Sequence, residues 1–286
     1  MEWINRDRVL IVGLGLIGGS YARALKRLGY YVMAIDTDPE TIAYALENGV
    51  VDEGSTEVDP AMVGSADTAI FALYPRVLKE WIAQYQDLFK PGIFITDVTG
   101  VKGCVVYDVQ DMLRPDIEFI AAHPMAGKET SGVQYSDARI FHDANYVVVP
   151  TSRNTPEAIE WCKNLGQVLG FARISVLSPE EHDEMIGFLS QLMHAIAVVL
   201  MACSDNEHLA NYTGDSFRDL TRIARINDAM WSELFLLNKD ALLHSMDVFE
   251  SEFERFRRLV EDGDKEGIRR AMQLSTERRA WFDIYS

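Results

Sequence analysis

The stretch VLIVGLGLIGGSYARALKRLGYYVMAID, Val9 to Asp36, sets Gly13, Gly15 and Gly18 in a GxGxxG pattern between an apolar run and a helix-like run. This spacing has a physical use at a dinucleotide. Gly13 permits a tight turn, Gly15 lets the backbone approach a pyrophosphate, and Gly18 lets the following helix pack against the strand. The phosphates then lie at the helix N-terminus, beside Leu16 and Ile17, where N–H groups and the helix dipole favour an anion. The flanking sequence agrees with the motif: Arg8 to Val12 reads as a buried strand, Leu16 to Arg27 as an amphipathic helix and Tyr31 to Ile35 as a second strand. Asp36 follows that strand, 18 residues after Gly18, close to the acidic position that binds ribose hydroxyls. No Lys or Arg occurs from Thr37 to Pro75, so an adenosine 2′-phosphate would meet a carboxylate without a cation from this segment. The expected cofactor is NAD rather than NADP.

The alternation continues outward from this unit. The pattern predicts a helix over Pro39 to Asn48, a strand over Thr68 to Leu73, a helix over Val77 to Phe89 and a strand over Ile93 to Asp97. Further strands are predicted at Glu118 to Ala122, Tyr146 to Pro150 and Arg173 to Leu177, with a helix at Pro156 to Leu169. Strands alternating with helices imply a mostly parallel, doubly wound sheet of the Rossmann type over residues 1–177. The period changes at Ser178. Ser178 as N-cap, Pro179 at the first position and Glu181 completing a capping box start a helix, and the pattern stays helical to Ser286. The fold class is therefore α/β, with an all-helical dimerisation domain over residues 178–286. From Trp231 to Val260 apolar residues recur at helical spacing apart from one gap, a stripe longer than one small domain needs. A homodimer through the helical domain is expected. Met185 to Cys203 is 19 residues without a charged Asp, Glu, Lys or Arg, yet Gly187, Ser190, Gln191 and His194 make a polar stripe along it. That stripe favours a buried central helix facing a site over a membrane span.

The 286-residue chain is 48% hydrophobic, as a globular protein is, and its formal net charge of −17 argues against nucleic acid or an anionic membrane as partner. An anionic small-molecule substrate would have to be met by locally placed cations. Cys104, Cys162 and Cys203 show no metal-ligand spacing, and no metal site is expected. The opening MEWINRDR has no apolar signal region, so a cytoplasmic location is expected.

Ligands of open α/β sheets lie beyond the carboxyl ends of the strands. His123 follows an apolar strand directly and precedes a Pro- and Gly-containing loop, so its ring is expected to face the cofactor cleft. An imidazole suits taking a proton from a hydroxyl while hydride leaves the same carbon. In the helical half Arg218, Arg222 and Arg225 stand four and three apart, which puts them on one helix face, and interleaved apolar residues suggest that one is drawn inward to grip a carboxylate.

These residues resemble the prephenate and arogenate dehydrogenase family of tyrosine biosynthesis. The similarity covers almost the whole chain and rests on GLGLIGGS, TDVTGVKG (Thr96 to Gly103), HPMAGKETSG (His123 to Gly132), His182-Asp183, SQLMH (Ser190 to His194) and FRDLTRIARINDAMW (Phe217 to Trp231). The resemblance implies an NAD-binding domain followed by a helical dimerisation domain, and oxidative decarboxylation of prephenate to 4-hydroxyphenylpyruvate or of arogenate to tyrosine. His123 matches the histidine that hydrogen-bonds the ring hydroxyl, Arg222 the arginine that grips substrate carboxylate, and His194 a pocket-lining histidine; Lys128 lies in the matching loop as a further substrate contact. Two positions depart from the pattern. Thr99-Gly100 stands where many members have Gly-Ser, so Thr99 would supply the missing hydroxyl from one residue upstream, and Gln191 replaces a first histidine. A β-hydroxyacid dehydrogenase would be expected to carry a lysine on the central helix, which has none. A catalytically silent NAD sensor is the other alternative, and the choice between prephenate and arogenate stays open.

Overall fold

After Arg8, every residue of β1 (Arg8–Val12) is buried, because the strand is covered on both faces. Val9 and Ile11 pack in one apolar layer with Tyr21 and Leu25 of α1 (Leu16–Arg27) and with Trp161 and Leu165. Leu10 and Val12 pack in the opposite layer with Met62, Leu78, Ile82 and Val109. The computed structural model describes residues 7–128 and 130–285. The N-terminal segment read for its lack of an apolar signal and Glu129 of the His123 loop lie outside the described residues.

In chain order there follow β2 (Tyr31–Ile35), α2 (Pro39–Glu47), β3 (Glu53–Ser55), α3 (Pro60–Ser65), β4 (Thr68–Phe71), α4 (Pro75–Tyr85), β5 (Phe94–Asp97), α5 (Gly103–Met112) and β6 (Glu118–Phe119). Six strands form a parallel sheet in the order β3-β2-β1-β4-β5-β6. The order reverses between β1 and β4, which opens a ligand crevice at their carboxyl ends. β3, α3 and α5 were not expected from the pattern.

The strand predicted over Glu118 to Ala122 is two strands in two sheets. Ile120 N still donates to Ile95 O at 3.0 Å, and the chain then leaves β5 to form β7 (Ala121–Pro124). β7 pairs antiparallel with β8 (Asn145–Val149), and β8 pairs parallel with β9 (Arg173–Val176), with α6 (Pro156–Leu169) between them in sequence. The carboxylate of Asp97 receives Ala122 N at 3.2 Å, which holds the departing strand beside the end of β5. His123 therefore sits at the mouth of the crevice.

The helical part comprises α7 (Pro179–Ile186), a π-helical turn Gly187–Gln191, α8 (Leu192–Ala202), α9 (Asp215–Thr221), α10 (Asp228–Leu237), α11 (Lys239–Glu261) and α12 (Lys265–Arg279). The capping box at Ser178 is present: Glu181 N donates to Ser178 Oγ and Ser178 N to Glu181 Oε2. The helix spanning 179–202 is long and apolar enough to cross a membrane by length and composition, but only 33% of the apolar window is buried. Contrary to a wholly buried central helix, Gly187, Gln191, Leu192, Ala195 and Ala197 face inward, whereas Phe188, Leu189, Val199 and Met201 are exposed.

The apolar run from Trp231 to Val260 is not one helix. It breaks at Asn238, whose Nδ2 donates to Asp183 O at 2.9 Å and to Gln191 Oε1 at 2.8 Å. The break falls in the gap in the stripe. The chain's compact units are 1–238 and 239–286, and α7 to α10 fall in the unit that holds the sheet. In the second unit α11 and α12 pack on each other, and α11 exposes Phe249, Phe253, Phe256 and Val260.

Candidate active site

The glycines of the first turn differ in what holds them. Gly13 has φ +92°, and a Cβ there would lie 2.4 Å from Ala72 O. At Gly18 a Cβ would lie 2.0 Å from Gly13 O, so the helix can approach the strand only without a side chain. Gly15 is the N-cap of α1, without a side-chain cap, and nothing lies within 4 Å of where its Cβ would be. The turn thus presents open backbone at the N-terminus of a twelve-residue helix that includes Leu16 and Ile17. Asp36 lies alongside, its Oδ2 accepting from Leu14 N at 2.6 Å and its Oδ1 from Asp38 N at 3.0 Å. A pyrophosphate on open N–H groups and a ribose at a carboxylate fit these residues.

Across the crevice a chain of three side chains ends on His123. Asp183 accepts from Lys102 N at 2.8 Å through Oδ1 and from Gly103 N at 2.7 Å through Oδ2, capping α5 from another part of the fold. Its Oδ1 also lies 2.8 Å from His182 Nδ1, and His182 Nε2 lies 2.9 Å from His123 Nδ1. His182 is fully buried. Burial drives its pKa below the ordinary histidine value, although the bond to Asp183 opposes the shift. His123 is pushed well below it, first by burial and then by the nearby His182 and Lys102. Both rings are therefore neutral at pH 7. A Cβ on Gly100 would lie 3.8 Å from His123 Nε2 and 3.7 Å from Leu234 Cδ1, which places this nitrogen against the strand-end loop and α10.

That loop is braced from beneath. Lys102 and Asp97, both 0% exposed, pair at 2.7 Å, and Lys102 Nζ also donates to Thr99 Oγ1 at 3.1 Å. Thr99 N donates to Asp97 Oδ2 at 3.0 Å, and the single Thr99 hydroxyl proton is directed to Asp97 Oδ2, with Val101 O lying 2.9 Å from Oγ1 as an alternative acceptor. Thr99 is only 4% exposed. Its hydroxyl is engaged within the loop, whereas the space beside His123 belongs to Gly100.

On the helical side, His194 Nδ1 donates to Ser190 O at 2.9 Å and its ring stacks on Trp231, with centroids 3.7 Å apart. Trp231 precedes Leu234 by three residues, so the stacked pair lies roughly 5 Å along α10 from the residue beside Gly100. Gln191 is 1% exposed; it donates to Leu234 O at 3.0 Å and accepts from Asn238, tying α10 to the π-helical turn. The three arginines do not share one helix face. Arg218 is on α9, Arg222 opens the single turn Arg222–Ala224, Arg225 is extended beyond it, and all three are exposed. The Arg222 turn packs against α8, the helix that carries His194. Lys128 is exposed on the loop after β7, where its charge helps to lower the Asp137 carboxyl. Among the described residues no cluster of His, Cys, Asp and Glu could hold a metal ion.

Residues 21–175 match the family described as prephenate dehydrogenase, nucleotide-binding domain, and residues 178–274 match prephenate dehydrogenase, dimerization domain. The chain belongs to the prephenate dehydrogenase family. It is 30% identical to a prephenate dehydrogenase of Bacillus subtilis over 98% of this chain and 80% of the relative. It is 29% identical to a cyclohexadienyl dehydrogenase of Zymomonas mobilis over 94% and 96% of the two chains. Among solved structures, prephenate dehydrogenase from A. aeolicus in complex with hydroxyphenyl propionate and NAD+ superposes with a TM-score of 0.89 at 30% identity, covering 98% of this chain and all of that one.

Within this family fold, sequence reasoning singled out His123 but assigned no task to His182 and Asp183, although the dipeptide stood in the resemblance. Its only local signal was a His-Asp pair just inside a capped helix start. Lys102 carried no signal either, because a lysine four residues after a strand-end Thr-Asp-Val reads as solvated until the fold closes over it.

Proposed function

We propose that the chain catalyses NAD-dependent oxidative decarboxylation of prephenate to 4-hydroxyphenylpyruvate, in tyrosine biosynthesis, as a cytoplasmic homodimer. The observation that carries this reading is His123, a half-buried neutral imidazole at the carboxyl edge of the sheet with Nε2 against Gly100 and the crevice beyond the glycine turn. When bound at that turn, NAD accepts the hydride from the ring carbon that bears the substrate hydroxyl. His123 Nε2 takes the hydroxyl proton as the carbon–oxygen double bond forms. Departure of the ring carboxylate as carbon dioxide makes the ring aromatic, and the same imidazole returns its proton to the phenol oxygen. Atoms and charge balance without net proton release.

Arg222 grips the side-chain carboxylate, a contact that a chain of net charge −17 must supply locally. His194, held flat by Trp231, lines the pocket, and Lys128 adds positive charge from the loop that begins at His123. Thr99 and Gln191 serve by bracing the strand-end loop and α10. Asp36 holds the adenosine ribose and disfavours a 2′-phosphate. The exposed aromatic edge of α11 is the face that a second copy covers, in keeping with the family's dimerization domain. The test is NADH formation with prephenate and with arogenate under identical conditions. Turnover of prephenate at the higher kcat/KM supports the assignment. Preference for arogenate moves the substrate to the amino form, and tight NAD binding without turnover of either overturns the enzyme reading.

A further inference from the structure

We propose that His182 and Asp183 are positioning residues for His123: the chain Asp183–His182–His123 sets the tautomer that leaves His123 Nε2 bare and shares the charge when that nitrogen takes a proton. The inference rests on the base role of His123 in the proposed reaction. The direction of the chain follows from Asp183. Its two oxygens already accept from Lys102 N and Gly103 N, so it is an acceptor at the N-terminus of α5, where the helix dipole also favours the carboxylate. His182 Nδ1, 2.8 Å from Oδ1, must then carry its proton. A neutral His182 leaves Nε2 as a lone pair, and the 2.9 Å contact requires His123 Nδ1 to donate to it. His123 Nε2 is left unprotonated. Without this chain either tautomer of His123 is open, and the one with a proton on Nε2 cannot act as the base.

The same chain receives charge. Lys102, whose ammonium is within electrostatic reach of both rings, opposes a lone imidazolium on His123. The Nδ1 proton of His123 points at His182, which is itself bonded to a carboxylate, so the positive charge is drawn away from Lys102 toward Asp183. The proton remains in the enzyme until the phenol oxygen takes it back.

The test combines kinetics with ¹⁵N chemical shifts of the imidazole nitrogens in the full-length protein, where six histidines are resolved and His123→Asn assigns the signal. The wild type should show His123 with Nδ1 protonated and Nε2 bare. In Asp183→Asn the amide oxygen can still cap α5 while its NH₂ donates to His182 Nδ1, which reverses every bond in the chain. His123 should then carry its proton on Nε2, and kcat should fall by roughly 10²–10⁴, the worth of a positioned base, with NAD affinity unchanged. If Asp183→Asn loosens α5, the pair His182→Gln and His182→Leu decides. Gln can accept from His123 Nδ1 and should keep the tautomer and more of kcat, whereas Leu should lose both. A wild-type His123 protonated on Nε2, an Asp183→Asn enzyme with undiminished kcat, or equal activity of the Gln and Leu variants would overturn the proposal. Failure of the wild type to oxidise prephenate or arogenate would instead remove the reaction, and the nitrogen shifts would still report the tautomer.

Discussion

Replacing Lys102 by Met tests whether the loop beneath Gly100 depends on a buried ion pair. Lys102 and Asp97 are both wholly buried and 2.7 Å apart, and Asp97 also holds Ala122 N, Thr99 N and the Thr99 hydroxyl. Met fills most of the lysine volume, so the cavity contribution is small and the loss is that of a charge partner. An unpaired buried carboxylate of this kind costs about 3–5 kcal/mol. Against a total stability of about 5–15 kcal/mol, the variant should still fold. At about 2–4 °C per kcal/mol, Tm should drop by roughly 6–20 °C. Asp97→Asn leaves an ammonium that burial already drives toward the neutral form, so it should cost less. The double variant should cost less than the two single costs together, by about 0.5–3 kcal/mol of coupling. Urea denaturation followed by far-ultraviolet circular dichroism measures all of this. A Lys102→Met cost below about 1 kcal/mol, or single costs that add within about 0.5 kcal/mol, would show that the pair does not stabilise the loop.

Gly15→Ala should fold normally yet lose NAD affinity in calorimetry, since its methyl points into open space where the pyrophosphate lies. Gly18→Ala should lower Tm as well, because that methyl would meet Gly13 O at 2.0 Å. Arg222→Ala should raise KM for prephenate by roughly 10- to 150-fold, the equivalent of about 1.5–3 kcal/mol for a charge-assisted contact, with kcat changed little. The depressed pKa of His123 means that its base form persists below the ordinary histidine pKa of 6.5. The kcat/KM profile should accordingly stay flat as pH falls through 6.5 and decline only below it, and a limb at 6.5 or above would contradict the burial of the base. Phe253, 63% exposed on α11, should lie in the contact between copies. Phe253→Glu should convert the dimer to monomer in sedimentation, and a wild type that sediments as a stable monomer would defeat the assembly.

The two strands and the helix from Val9 to Ile35 were legible because each is specified locally: apolar residues run unbroken through the strands, and glycines sit where only glycine fits. The start of α7 was legible for the same reason, since Ser178 and Glu181 cap one another within four residues and Pro179 suits the first helical position. The helix α3 carried a comparable signal in Asp59 and Pro60, yet at six residues it was too short to show a period. Other features answer to partners far along the chain. The division of Glu118 to Ala122 between two sheets depends on Asp97 capturing Ala122 N, and the break at Asn238 depends on Gln191 and Asp183 O. The helix α5 lacks a side-chain cap of its own and takes Asp183, 80 residues beyond Gly103. The sequence alone thus determined the alternating sheet, the nucleotide turn and the candidacy of His123, all of which rest on neighbours within one turn or one strand. Only the tertiary structure decided the state of that histidine: its tautomer and pKa are set by burial, Lys102 and the Asp183–His182 bond, and no local pattern can place charges and donors that meet only when the chain has folded.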